Sequence, residues 1–236
     1  MKRLITLTAA AALLGSVAFA GPVADFEKDF RAMYSAYRTA LFGTNAGKQD
    51  VSADSAAKLQ DQLHMMIVSF GETPPPQYED DPMWLETMTK AAATVETAQA
   101  QITEGTLTEA HETLEAVRDL FGELHRRNGV QTFSDRMNAY HAEMEDLLAM
   151  DVSALDTAGV AKIRDHAAVL NYLAKDLLDN PSTEAEGSDD YSGLSKAFAG
   201  SVAALVEAAR AGDPEQVKAA VGGLKVPYSK LFLKFG

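Results

Sequence analysis

The chain has 236 residues, 47% of them hydrophobic, with no cysteine and 34 acidic side chains against 21 Lys and Arg, giving a net charge of −13. Without thiols it forms no disulfide, no Cys-ligated zinc or iron–sulfur site and no covalently attached c-type haem. The acidic balance argues against nucleic acid and anionic membranes, whose phosphates need a cationic surface.

Lys2 and Arg3 precede an apolar run from Leu4 to Val17, and Ala18-Phe19-Ala20 then offers a small-x-small cleavage site. That order is the signature of a secretory signal peptide over residues 1–20. Cleavage leaves 216 residues beginning at Gly21, and losing Lys2 and Arg3 takes the charge to −15. No later apolar run is long enough to span a bilayer. The expectation is an exported, periplasmic protein that is not an integral membrane protein after cleavage.

From Gly21 onward the apolar residues recur every three or four positions, the period of a helix facing a core. Phe26, Phe30, Met33, Tyr34, Tyr37 and Leu41 form the first such stripe. Thr73-Pro74-Pro75-Pro76 interrupts the pattern, and Leu107, Ala110, Leu114, Val117, Phe121 and Leu124 form another stripe. Gly105 and Gly212 stand where helix pairs should turn, and Asp213 then offers an N-cap with Pro214 at the first helical position. The fold class read from this pattern is all-α.

An internal repeat organises the chain. Gly105 to Gly129 superposes on Gly212 to Gly236 without a gap at an offset of 107 residues, and the same offset places Phe26 on Phe133, Ala32 on Ala139, Leu41 on Leu148 and Val95 on Val202. A period of about a hundred residues suits a four-helix bundle better than a short solenoid repeat. The sequence therefore predicts two tandem up-down four-helix bundles, residues 21–130 and 131–236. Thr73 to Pro76 and Asn180 to Asp190 are the expected middle connections. Their acidic residues, Glu79, Asp80 and Asp81 in one and Glu184, Glu186, Asp189 and Asp190 in the other, read as solvated loops, because they lack the spacing of an EF-hand. Trp84 and Tyr191 fall at matching places and read as packing at the bundle ends. Pro227, inside the last helical segment, should break it.

The first half resembles the periplasmic cytochrome b562 group of four-helix bundles across nearly its whole length. Ala24-Asp25-Phe26-Glu27 resembles that family's mature start, Thr73-Pro74-Pro75 its middle loop, and Glu104-Gly105 followed by Glu109-Ala110 its last turn. The resemblance implies haem held noncovalently between a histidine near the end of the fourth helix, here His125, and a methionine on the first. At the methionine position this chain has Phe30, with Met33 almost one turn later. In the second half Met137 takes the methionine position and Phe232 the histidine position, so neither half has a complete pair. The resemblance makes His125 and Met33 the candidate b-type haem ligands.

A second constellation points to copper. Met137, His141 and Met144 stand at i, i+4 and i+7, within one arc of a helix. Thioether and imidazole ligands suit the cuprous ion in a thiol-free exported protein. Against that stands ordinary core packing by methionine. His64 adjoins Met65 and Met66 without ligand spacing; His111 lies fourteen residues before His125, too far along one helix to share an ion with it; His166 reads as solvated. Tyr140-His141-Ala142 followed by Leu147-Leu148 also loosely resembles the imelysin group, but Met144 stands where that group has a glutamate.

No HExxH pair, nucleophile elbow or Gly-rich fingerprint after a strand is present. The resulting expectation is a non-enzymatic protein that binds copper or haem for carriage, buffering or electron transfer. The alternative is a cofactor-free interaction or sensor module whose acidic helical surface meets a basic protein partner.

Overall fold

The computed structural model describes residues 21–152 and 155–236, and the predicted signal peptide lies outside the described residues. The helices are α1 (Pro22–Asn45), α2 (Gln49–Phe70), α3 (Trp84–Glu104), α4 (Leu107–Arg127), α5 (Phe133–Leu148), α6 (Thr157–Asp179), α7 (Asp189–Ala211), α8 (Pro214–Gly222) and α9 (Lys225–Phe235). A 3-10 turn, Pro76–Tyr78, lies between α2 and α3, and no strand occurs among the described residues. The protein is all-α. None of the described helices is long and apolar enough to cross a membrane.

Local chemistry sets the boundaries. Gly105 (φ 83°) and Gly212 (φ 75°) end α3 and α7 in the left-handed region, where a side chain is penalised and glycine is not. Asp213 caps α8, its Oδ1 accepting from the backbone N–H groups of Glu215 at 2.9 Å and Gln216 at 3.2 Å. At α5 the Thr132 hydroxyl and the Asp135 carboxylate form a reciprocal capping box, which satisfies two otherwise orphaned donors.

The last helical segment of the second half is split. α8 stops at Gly222 and α9 begins at Lys225, so Pro227 falls in the first turn of α9. There its missing N–H costs no helical bond, whereas a continuous helix would lose one and bring the ring against the Gly223 carbonyl. The expected break is present, but at Gly223 and Leu224 rather than at Pro227 itself.

Two apolar clusters organise the packing. One is built from α1–α4, with every member of the first sequence stripe buried. Phe26 packs edge-on against Phe70 (5.3 Å between ring centroids) and Trp84 (5.6 Å), while Trp84 stacks on Tyr78 at 5.0 Å; each such pair adds about 1 kcal/mol beyond burial. Trp84 also donates Nε1–H to the Phe70 carbonyl at 2.8 Å, closing the end of the helix group. The other cluster is built from α5–α9, and Phe232 packs against both.

The halves are fastened where α1 meets α9. Arg38, buried on α1, donates to the carbonyls of Leu233, Lys234 and Gly236, the electronegative end of α9. Burial lowers its pKa to about 10, which leaves it charged at neutral pH. Arg31 reaches across to Glu184.

Several acidic residues read as solvated loops are otherwise placed. Asp81 is buried and accepts from Arg127 Nε (2.9 Å), Asn128 Nδ2 (2.8 Å) and the Met83 backbone N–H (2.9 Å); it ties the α2–α3 connection to the end of α4. Asp189 and Asp190 open α7 instead of lying in the loop, where carboxylates complement the helix dipole.

Candidate functional site

The seam between the halves carries the polar chemistry. The chain turns from α4 into α5 over 128–132, and at this turn His125, 3% exposed, donates Nδ1–H to Asp135 at 2.9 Å. Burial pushes the Asp135 carboxyl up, but His125 and the Thr132 hydrogen bonds pull it down further, leaving it below its ordinary value. Asn138, one turn on, donates to the Tyr34 hydroxyl of α1 at 3.1 Å. Burial raises that phenol to about 12, with the Asn138 bond opposing.

From this turn an open groove of about 900 Å³ runs between α4 and α5. Gly122, Gly129 and Ala142 on its walls carry too little side chain to fill it. It continues into a narrower space of about 300 Å³ between α1, α4, α5 and α9, and Glu115, Arg118, His141 and Glu145 line both. His141 stacks on the Tyr228 ring at 5.3 Å, and its Nε2 lies 3.4 Å from Glu145 Oε1. Burial, reinforced by Arg118, lowers its pKa, with Glu145 and Glu115 opposing. It is therefore neutral at neutral pH and presents a lone pair.

The predicted copper residues separate by depth. Met137 and Met144 are fully buried in the second cluster, whereas the His141 side chain is 23% exposed in the groove. Among the described residues no three His, Asp or Glu side chains form a group able to hold a metal ion; any such site has to draw on the thioethers.

The predicted haem residues lie in the first half. Met33 is fully buried in its core. Phe30, at the methionine position, lies 5.3 Å from the His125 ring and 5.2 Å from Phe121. Phe30 thus packs the core side of His125, while the same histidine also lines the open groove between α4 and α5.

No family model, curated protein or solved structure matches this chain.

Two of the remaining histidines tie helices together. His111 Nδ1 lies 3.2 Å from the Leu41 carbonyl and 3.1 Å from Thr44 Oγ1, so its Nδ1–H donates to the carbonyl. His166, read as solvated, instead pairs with Glu143 at 2.7 Å, tying α6 to α5. The exposed His64 meets Gln60 of its own helix at 3.2 Å. Sequence reasoning missed Arg118, Glu115 and Glu145, which look like ordinary charges on a helix exterior until the second half covers them.

Proposed function

We propose that the protein is an exported, non-enzymatic pair of tandem up-down four-helix bundles of the cytochrome b562 kind that carries or buffers copper through Met137, His141 and Met144. The observation that carries this reading is the place of His141. It stands neutral at the groove wall, with two thioethers of the same helix arc buried behind it. A soft ion of low charge suits such a ligand set, because a dry thioether environment penalises harder divalent ions. The groove supplies the entry route, and a bundle core flanked by fixed helices is where such sites are ordinarily built.

Metal analysis of protein purified from copper-fed cells tests the reading. The expected result is about one copper per chain, falling to background in His141→Ala; equal copper in both proteins overturns it. Haemin added to the purified protein should give no Soret band. A band that vanishes in His125→Ala would transfer the function to haem, with Phe30 displaced. Blank results in both titrations would leave the acidic interaction or sensor module.

A further inference from the structure

The latch that ties the α2–α3 connection to α4 includes a reactive pair. Asn128 closes α4, and its Nδ2 donates at 2.8 Å to Asp81 Oδ2 and at 2.8 Å to the Leu124 carbonyl. Both neighbours are acceptors, so only the amide nitrogen of the side chain can face them. Asp81 shares that oxygen with Arg127, whose Nε lies 2.9 Å away and whose Nη2 also donates to Thr87 at 2.7 Å. The Asp81 side chain is 1% exposed, and a buried charge is costly unless such donors surround it.

Gly129 follows Asn128, and this is the only Asn-Gly pair in the chain; Asn45 and Asn138 precede Ala, Asn171 precedes Tyr and Asn180 precedes Pro. Asparagine deamidates when the next backbone nitrogen attacks its side-chain amide carbon, and glycine puts no side chain in the way. That nitrogen is lightly held here. Gly129 is exposed, and its N–H reaches the Arg126 carbonyl at 3.4 Å, beyond the ordinary hydrogen-bond range.

We propose that Asn128 is a site of enzyme-free deamidation that unlatches the α2–α3 connection from α4. Hydroxide takes the Gly129 N–H proton, the nitrogen bonds to Asn128 Cγ, the Cγ–Nδ2 bond breaks and ammonia leaves. Water then opens the succinimide to aspartate or isoaspartate, so the net reaction consumes one water, releases ammonium and changes no oxidation state. Either product exchanges the donor facing Asp81 for a second carboxylate. Like charges then meet at hydrogen-bond distance in a largely buried place, and Arg127 alone cannot balance both. Nothing in the reaction restores the amide, so the change accumulates as the protein ages. The site stands apart from the copper reading, since it uses none of Met137, His141 and Met144.

Ageing the folded full chain in warm, mildly alkaline buffer, with mass mapping of every asparagine peptide, tests the chemistry. Asn128 should convert first. Its product is made directly as Asn128→Asp, which should lower Tm at pH 7 by roughly 4–8 °C, the loss expected for a charge-assisted bond in a chain of this size. Amide exchange over 71–83 should accelerate in the variant while α6 stays protected. At about pH 3 the gap in Tm should narrow, because two carboxyls sharing one proton regain a donor between them. Conversion of Asn128 no faster than that of Asn45 or Asn138 overturns the proposal. So does an Asn128→Asp protein with the parent's Tm at pH 7, or one whose loss is as large in acid. If the variant fails to fold, the aged parent, separated from fresh protein by ion exchange, gives the same amide-exchange comparison.

Discussion

Replacing Asp135 by Asn isolates the pair that links the end of α4 to the start of α5. The carboxylate is 19% exposed and accepts from His125 Nδ1 at 2.9 Å, the Thr132 backbone N–H at 2.7 Å and the Thr132 hydroxyl at 2.7 Å. Asn keeps one acceptor for the capping box but loses the negative charge, leaving His125 with a weaker partner in a buried site. Losing a charge-assisted bond of this kind costs about 2 kcal/mol, which for a chain of this size lowers Tm by roughly 4–8 °C. Because the native Asp135 pKa is depressed, its contribution is complete above the ordinary value of 3.8 and disappears as pH falls through the native value. Urea unfolding of both proteins at pH 7 and near pH 2 measures the effect. The variant should be less stable at pH 7 and indistinguishable from the parent in acid. A difference of the same size at both pH values would refute the charge argument and point to lost packing or capping instead.

Gly43→Ala should cost about 1–3 kcal/mol, since the added Cβ would lie 2.7 Å from Ser52 Oγ and 3.0 Å from its backbone nitrogen where α1 meets α2. Gly200→Ala, on an exposed face of α7 with open space around it, should instead gain about 1 kcal/mol from helix propensity; thermal melts of the two should move in opposite directions. Arg38→Ala removes the donors at the end of α9, and amide exchange over 225–235 should accelerate at least tenfold while α3 stays protected. If His141 ligates copper, its depressed pKa means that protons compete only below the ordinary imidazole range. Cuprous affinity should then change little between about pH 7.5 and 6.5 and fall below that; a steep loss already above pH 7 would mean another group is the ligand.

How much was legible in the sequence depended on whether a feature was local. The α1 and α4 stripes, the glycine turns after α3 and α7 and the Asp213 cap were readable because each is written within a few residues by side-chain periodicity or backbone freedom. The break near Pro227 was readable, but its site was not, since the chain moved the discontinuity back to Gly223 so that the ring would fall in a first turn. The burial of Asp81 depended on Arg127 and Asn128 arriving from 46 and 47 residues away, which no local pattern encodes. Met137, His141 and Met144 were placed correctly along one helix arc, but not their different depths. Depth is set by what lies opposite, and Tyr228 and Arg118 come from elements distant in sequence.

Arg38 gives the assembly an order. The helix it belongs to and the carbonyls it holds are almost two hundred residues apart in the chain. Until α9 has formed and docked, the guanidinium on α1 has no carbonyls to donate to and must stay hydrated, so that edge of the first helix group cannot close. Docking of α9 is then itself the event that dehydrates the seam.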